Sequence, residues 1–270
     1  MATSEPRYAM ATIGAELERA RLEKLQAIHD PQTLGRLDRL GIEPGMRCVE
    51  VGAGAGSIAR ALAARVGASG LVVAADMDPR FLADFKGPGR AVVTHDITTG
   101  SVAPGDFDLV HCRALLAHVA DVQGAVDHLV ASARPGGLVF CEEPDYGGCA
   151  PCDPTHPAAP VFERYLAGVM AGARMDPLAG RHVHAALRRV GLEAMGSEIG
   201  SEIVVGGSAR ALYRRETMAN VREQAVSAGG YTEADYQALL DCFEDPSFAY
   251  VDALWVGVWG RRPDGGRRRA

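Results

Sequence analysis

Apolar positions along this chain switch between two spacings, and the switches mark out its elements. Over residues 15–28 they recur at helical intervals among charges, and Asp30-Pro31 reads as a turn that ends this helix before a second, short one over 33–40. From Met46 onward, short β-branched runs alternate with helical stretches. Strands are predicted over 47–51, 71–76, 91–96, 107–112 and 138–142, with helices over 57–66, 79–85 and 122–133. This alternation predicts an α/β fold built on a doubly wound parallel sheet.

Past Glu143 the rhythm breaks. A loop rich in Pro, Gly and Cys over 144–160 leads to helices over 161–174 and 180–190, a strand over 193–204, and helices over 209–228 and 232–243. An aromatic last strand over 253–260 is expected to close the sheet edge. The division this predicts is a helical cap over 1–40, a ligand-binding core over 41–147, lid helices with a sixth strand over 148–251, and a last strand with a disordered basic tail over 252–270. Aromatic and Met residues on the inserted helices, among them Phe162, Tyr165, Met170, Tyr213 and Met218, are expected to supply core and an apolar lid.

Composition narrows the function classes. In 270 residues, 47% hydrophobic and 23% charged content is ordinary for a soluble enzyme, and no apolar run has the length of a membrane span. The start of the chain is short and polar and lacks a signal peptide's apolar core, so a cytoplasmic protein is expected. Six cysteines are too sparse for a disulfide scaffold, and Cys48, Cys112 and Cys141 fall in strand-like runs that suit buried, reduced thiols. A net charge of −6 gives no support for a nucleic-acid partner. Cys149-Ala150-Pro151-Cys152 with His156 lacks the second cysteine pair that structural zinc wants, so no metal is expected.

The chemistry concentrates where an apolar strand runs into Gly52-Ala53-Gly54-Ala55-Gly56 and then into a helix. Glycines at such a turn let backbone approach a nucleotide-like ligand. Glu50, two places before the first glycine, suits a cationic ligand group better than a pyrophosphate. In an open α/β sheet, ligands bind beyond the carboxyl ends of the strands. The second strand ends at Asp76, about 20 residues past Gly56, where a carboxylate can accept both hydroxyls of a ribose, with Asp78 the near alternative. The third ends in Asp96-Ile97, a carboxylate for an exocyclic amine beside an apolar wall for a base.

Together, Glu50-x-Gly52-x-Gly54-x-Gly56, Ala75-Asp76-Met77-Asp78-Pro79, His95-Asp96-Ile97, Phe107-Asp108-Leu109-Val110 and Arg134-Pro135-Gly136-Gly137 resemble the class I S-adenosylmethionine-dependent methyltransferases of small-molecule type. The resemblance covers residues 33–147 and implies a mostly parallel, seven-stranded Rossmann-like sheet. It implies S-adenosyl-L-methionine as cofactor and S-adenosyl-L-homocysteine as product. Carried over by position, Glu50 faces the methionine amino end and Gly52, Gly54 and Gly56 line the cofactor. Asp76 holds the ribose, Met77 packs on the adenine, Asp96 and Ile97 hold it, and the segment at Arg113 offers a backbone carbonyl. Tyr8, Arg21 and Gln26 of a lead helix then reach the methionine carboxylate, unless that helix only covers a sheet edge.

His118, a turn past the fourth strand, is a candidate base for a phenol-like hydroxyl, with a satisfied core histidine as the alternative. Glu143 is a second candidate, with a polar strand exit as its alternative. The function expected is methyl transfer to a small, hydrophobic acceptor, as O-methylation of a secondary metabolite or transfer to nitrogen or carbon. A cofactor-assisted cyclisation or rearrangement stays open, whereas a nicotinamide enzyme is disfavoured by the missing glycine at its fingerprint spacing.

Overall fold

The computed structural model describes residues 14–171, 175–227 and 231–264, so Tyr8 and the end of the basic tail lie outside the described residues. The chain opens with α1 (Ala15–Leu40) and continues through β1 (Arg47–Val51), α2 (Ser57–Val66), β2 (Leu71–Asp76), β3 (Arg90–Thr94), β4 (Phe107–Arg113), α3 (Val122–Ser132) and β5 (Ala133–Asp145). After these come β6 (Ala150–Pro151), α4 (Ala159–Met170), α5 (Ala179–Arg189), β7 (Glu193–Gly200) and β8 (Ile203–Val205). The last elements are α6 (Ala209–Ala219), α7 (Arg222–Ser227), α8 (Glu233–Cys242), β9 (Ala249–Val251) and β10 (Leu254–Arg261).

Seven strands form one sheet in the order β3-β2-β1-β4-β5-β10-β7. β1 pairs parallel with β2 and with β4, β2 with β3, and β4 with β5. The winding therefore reverses between β1 and β4, and their carboxyl ends flank the switch point where such sheets take ligands. Cys48 to Val51 are all buried, which is why the strand reads as a continuous apolar run interrupted only by Glu50. The apolar face of α2, with Ile58, Ala59, Leu62 and Val66, packs into a core shared with Leu37, Val72, Phe85 and Phe140. Cys48, Cys112 and Cys141 are buried free thiols, and burial pushes the Cys48 thiol up to about 12.

Two compact units divide the chain. One is Gln26–Glu143 with Ala179–Glu198 and the segment from Val256, and carries most of the seven-stranded sheet. The other comprises the chain up to Leu25, described from Gly14, with Pro144–Leu178 and Ile199–Trp255. This second unit has its own aromatic core, in which the Phe162 ring lies 4.7 Å from Tyr250 and 5.2 Å from Phe248. Its small sheet has the order β6-β9-β8.

Several sequence expectations are corrected: the third strand stops at Thr94, so Asp96 and Ile97 lie past its end, and the helix over 209–228 is two, α6 and α7. The first two helices are one, with Pro31 inside α1. Proline removes a single N–H, and tertiary contacts hold the helix through it: Asp30 accepts from Arg113 at 2.7 Å and from Ser57 at 3.1 Å. The helix over 79–85 is only a 3-10 turn, Pro79–Phe81, capped by Asp78, after which the chain bends to bury Leu82 and Phe85. The strand over 193–204 is two strands in two sheets, because Ile203 to Val205 pair with β9. The last strand lies between β5 and β7 instead of at the edge, as suits a run in which Trp255, Val256 and Val258 are all buried.

Candidate functional site

β1 delivers the chain into a turn with Gly52, Gly54 and Gly56 at φ of 74°, 54° and 81°. Gly52 and Ala53 donate to the carbonyl of Ala75 at 2.8 and 3.2 Å, which closes the turn onto the end of β2. Asp76 completes it. Its Oδ2 accepts from the N–H of Gly54 at 2.8 Å and its Oδ1 from that of Asp78 at 2.9 Å. Burial raises the Asp76 carboxyl above its usual value, against these two backbone bonds. At Gly56 a Cβ would meet Leu82 Cδ2 at 2.6 Å, so the helix start leaves no room for a side chain. The three glycines and Asp76, read from sequence, are brought together.

The chain just past β2 and β3 carries the other expected ligand-facing residues. Met77 follows Asp76 and is 67% exposed, an unusual setting for a large apolar side chain. Ile97 is buried, and its carbonyl accepts from His128 Nδ1 at 2.7 Å. Asp96 turns Oδ1 to the N–H and hydroxyl of Thr98 at 2.9 and 2.7 Å.

Beneath the glycine turn runs a chain of buried charges. His111, opposite Glu50 in the β1–β4 register, holds Nδ1 2.5 Å from Glu50 Oε2 and Nε2 3.2 Å from Glu142 Oε2. Arg36 of α1 donates to Glu142 Oε1 at 2.5 Å. Burial alone would lower the His111 pKa, but Glu50 and Glu142 raise it to about 9. Burial likewise opposes ionisation of Glu142, whereas the His111 hydrogen bond and charge bring its carboxyl down to about 2. Sequence reading missed Arg36 and His111 in these roles. The available signal was a His within the apolar run of β4, since a buried titratable group demands a partner.

The segment after β4 is shaped by two anchors. Arg113 sends its guanidinium to α1, bonding Thr33 Oγ1 at 2.9 Å and Asp30 Oδ1 at 2.7 Å. Ala114 takes φ of 52°, a left-handed conformation that a non-glycine residue adopts only when its surroundings impose it. Glu143 imposes it: Oε1 accepts from the N–H groups of Leu115 and Leu116 at 2.9 and 2.7 Å, and Oε2 from Ala117 at 3.2 Å. A carboxylate so engaged and 0% exposed is an anchor for the turn, which agrees with the alternative reading of Glu143 as a polar strand exit. His118, half-buried, ends the 3-10 turn Leu116–His118 that Glu143 holds.

Gln26 is half-buried on α1. Arg21 belongs to the other unit, where both its Nε and Nη2 donate to Glu18 at 2.8 Å and Nη1 to Tyr213 at 3.3 Å. Among the described residues no cluster of His, Cys, Asp and Glu is arranged to hold a metal ion, and no helix is long and apolar enough to cross a membrane.

A family model described as a methyltransferase domain matches residues 24–197. The ubiquinone biosynthesis O-methyltransferase of Cupriavidus pinatubonensis is 32% identical over 126 residues, covering 43% of this chain and 49% of that protein. An uncharacterized 37.1 kDa protein in transposon TN4556 of Streptomyces fradiae is 26% identical over 230 residues, covering 82% of this chain and 64% of that protein. The chain thus spans about half the length of the first of these relatives and under two thirds of the second. Among solved structures, the phosphoethanolamine N-methyltransferase 2 of Haemonchus contortus, bound to phosphomonomethylethanolamine and S-adenosylhomocysteine, shares the fold at a TM-score of 0.55. It is 17% identical, over 86% of this chain and 52% of that one.

Proposed function

Because this chain belongs to the class I S-adenosylmethionine-dependent methyltransferases through its methyltransferase domain, we propose that it methylates a small, fairly hydrophobic organic acceptor at a hydroxyl oxygen, in secondary metabolism. The observation that carries the reading is the glycine-rich turn over 52–56, closed onto the Asp76 carboxylate at the sheet's switch point. Its donor set fits the cofactor. In this reading Asp76 receives the ribose hydroxyls, Met77 and Ile97 flank the adenine and Asp96 accepts from its amine. Glu50 is the acidic partner for the ammonium group, and Gln26 is assigned to the carboxylate.

When bound, S-adenosylmethionine supplies an electrophilic methyl on a sulfonium. The chain's own part is orientation, which can account for much of the rate of an in-line displacement. Glu143 fixes the turn that bears His118, and the His118 imidazole takes the proton from the acceptor hydroxyl. The O-methyltransferase relative of Cupriavidus pinatubonensis supports oxygen as the acceptor atom.

Isothermal titration is expected to show saturable binding of S-adenosylhomocysteine, and Asp76→Ala to weaken it by about tenfold or more. Incubation with S-adenosylmethionine and a panel of phenols and quinols should yield a product heavier by one methylene. Wild-type protein that binds no cofactor overturns the proposal at its first step. A consumed acceptor of unchanged mass would replace methyl transfer with rearrangement.

A further inference from the structure

His111 sits where β1, β4 and β5 run side by side, fully buried, with a carboxylate at each ring nitrogen. Glu50 and His111 are register partners, so the 2.5 Å bond from Nδ1 to Oε2 joins side chains whose backbones are already fixed by the sheet. The ring's other nitrogen is held by Glu142, which Arg36 and Arg113 face in turn from α1 and β4. Pinned at both ends, the ring has one orientation. Its bond to Glu50 runs through Oε2, which restrains that carboxylate and leaves Oε1 as the oxygen not taken by the ring.

His111 and Arg36 are the cations bonded to Glu50 and Glu142, while Arg36 and Arg113 also pair with Glu198 and Asp30. Removing the hydrogen bond at Nδ1 would leave the buried Glu50 Oε2 without its partner, and a buried carboxylate that loses its hydrogen bond moves to find another. An unanchored Glu50 cannot present a directed charge to a ligand.

We propose that His111 is a positioning residue for the methyl donor, aiming Glu50 Oε1 at the donor's ammonium group and so setting affinity for the amino-acid end of donor and product. The proposal rests on the reading of residues 52–56 as the donor turn. The Glu50 and Glu142 charges, which raise the His111 pKa to about 9 against the pull of burial, keep the ring cationic at neutral pH.

Two neutral isosteres separate the ring's two bonds. In His111→Asn the amide nitrogen falls near the position of Nδ1 and keeps the Glu50 bond. In His111→Gln it falls near Nε2 and keeps Glu142 while abandoning Glu50. Titration compares S-adenosylhomocysteine with 5′-methylthioadenosine, which carries the adenine, ribose and thioether but no amino-acid end. His111→Gln is expected to weaken S-adenosylhomocysteine by about ten- to hundredfold and His111→Asn by at most about threefold. Both should bind methylthioadenosine within about threefold of wild type.

A purely structural role predicts a different result, in which both ligands weaken together or both variants weaken S-adenosylhomocysteine equally, and either overturns the proposal alone. Wild-type protein that binds neither ligand overturns the donor reading and the proposal with it. Nitrogen NMR on the unmutated protein gives an independent readout. The His111 ring signals should move on binding S-adenosylhomocysteine and not on binding methylthioadenosine; identical responses to the two ligands overturn the proposal.

Discussion

At Gly56 the backbone itself decides which residue is tolerated. A φ of 81° suits only glycine, and a Cβ would stand 2.6 Å from Leu82 Cδ2 and 2.9 Å from Arg60 Nη1. Gly56→Ala therefore combines strain with overlap and is expected to cost about 1–3 kcal/mol. A urea midpoint indistinguishable from wild type would show that the turn relaxes freely and that this geometry matters little. Residues of this kind were legible in the sequence because their causes are local: a glycine needed for a turn, an aspartate at a strand end. The partnership of Arg36 with Glu142 was not, because 106 residues separate them and nothing near Arg36 distinguishes it from a solvated helix arginine.

Among the elements, the short turn Leu116–His118 depends most on a single side chain. Three N–H groups converge on Glu143, so Glu143→Gln turns one acceptor oxygen into a donor facing another donor. The expected cost is about 1–3 kcal/mol in stability. Because His118 rides on that turn, kcat should fall by more than KM rises. Equal changes in both would assign Glu143 to substrate binding instead. α1 carries the matching lesson for sequence reading. Asp-Pro marks a helix end when only local preferences act, yet Asp30 is bound from two other elements, and those bonds outweigh one missing N–H.

On the scale of the whole molecule, the buried charge chain sets how stability follows pH. His111 has a folded pKa near 9 against 6.5 for a free imidazole, so its contribution is fully present below about 6.5 and is lost as pH rises through 9. Glu142, lowered to about 2 from 4.5, contributes above about 4.5 and loses that contribution as pH falls through 2. The two together favour a plateau between about 4.5 and 6.5, with an alkaline decline on the order of 3 kcal/mol. Thermal unfolding followed from pH 6 to 10 should show Tm falling in wild type and a flatter profile in His111→Gln. A decline of the same size in that variant would assign the alkaline loss to other groups. Glu50, Glu142, Arg36 and Arg113 are the charges this slope reports on.

By itself the sequence determined the doubly wound sheet, the glycine turn and the aspartate that ends β2, since these follow from spacing and from backbone geometry within a few residues. Tertiary structure alone decided that β10 is interior and that α1 runs on through Pro31. It likewise decided that Glu143 anchors a turn and that Glu50 answers to His111 across the sheet. The reason is common to all four. Burial and charge pairing depend on which strands and helices lie side by side, and a buried charge is stable only in company that the linear chain keeps far away.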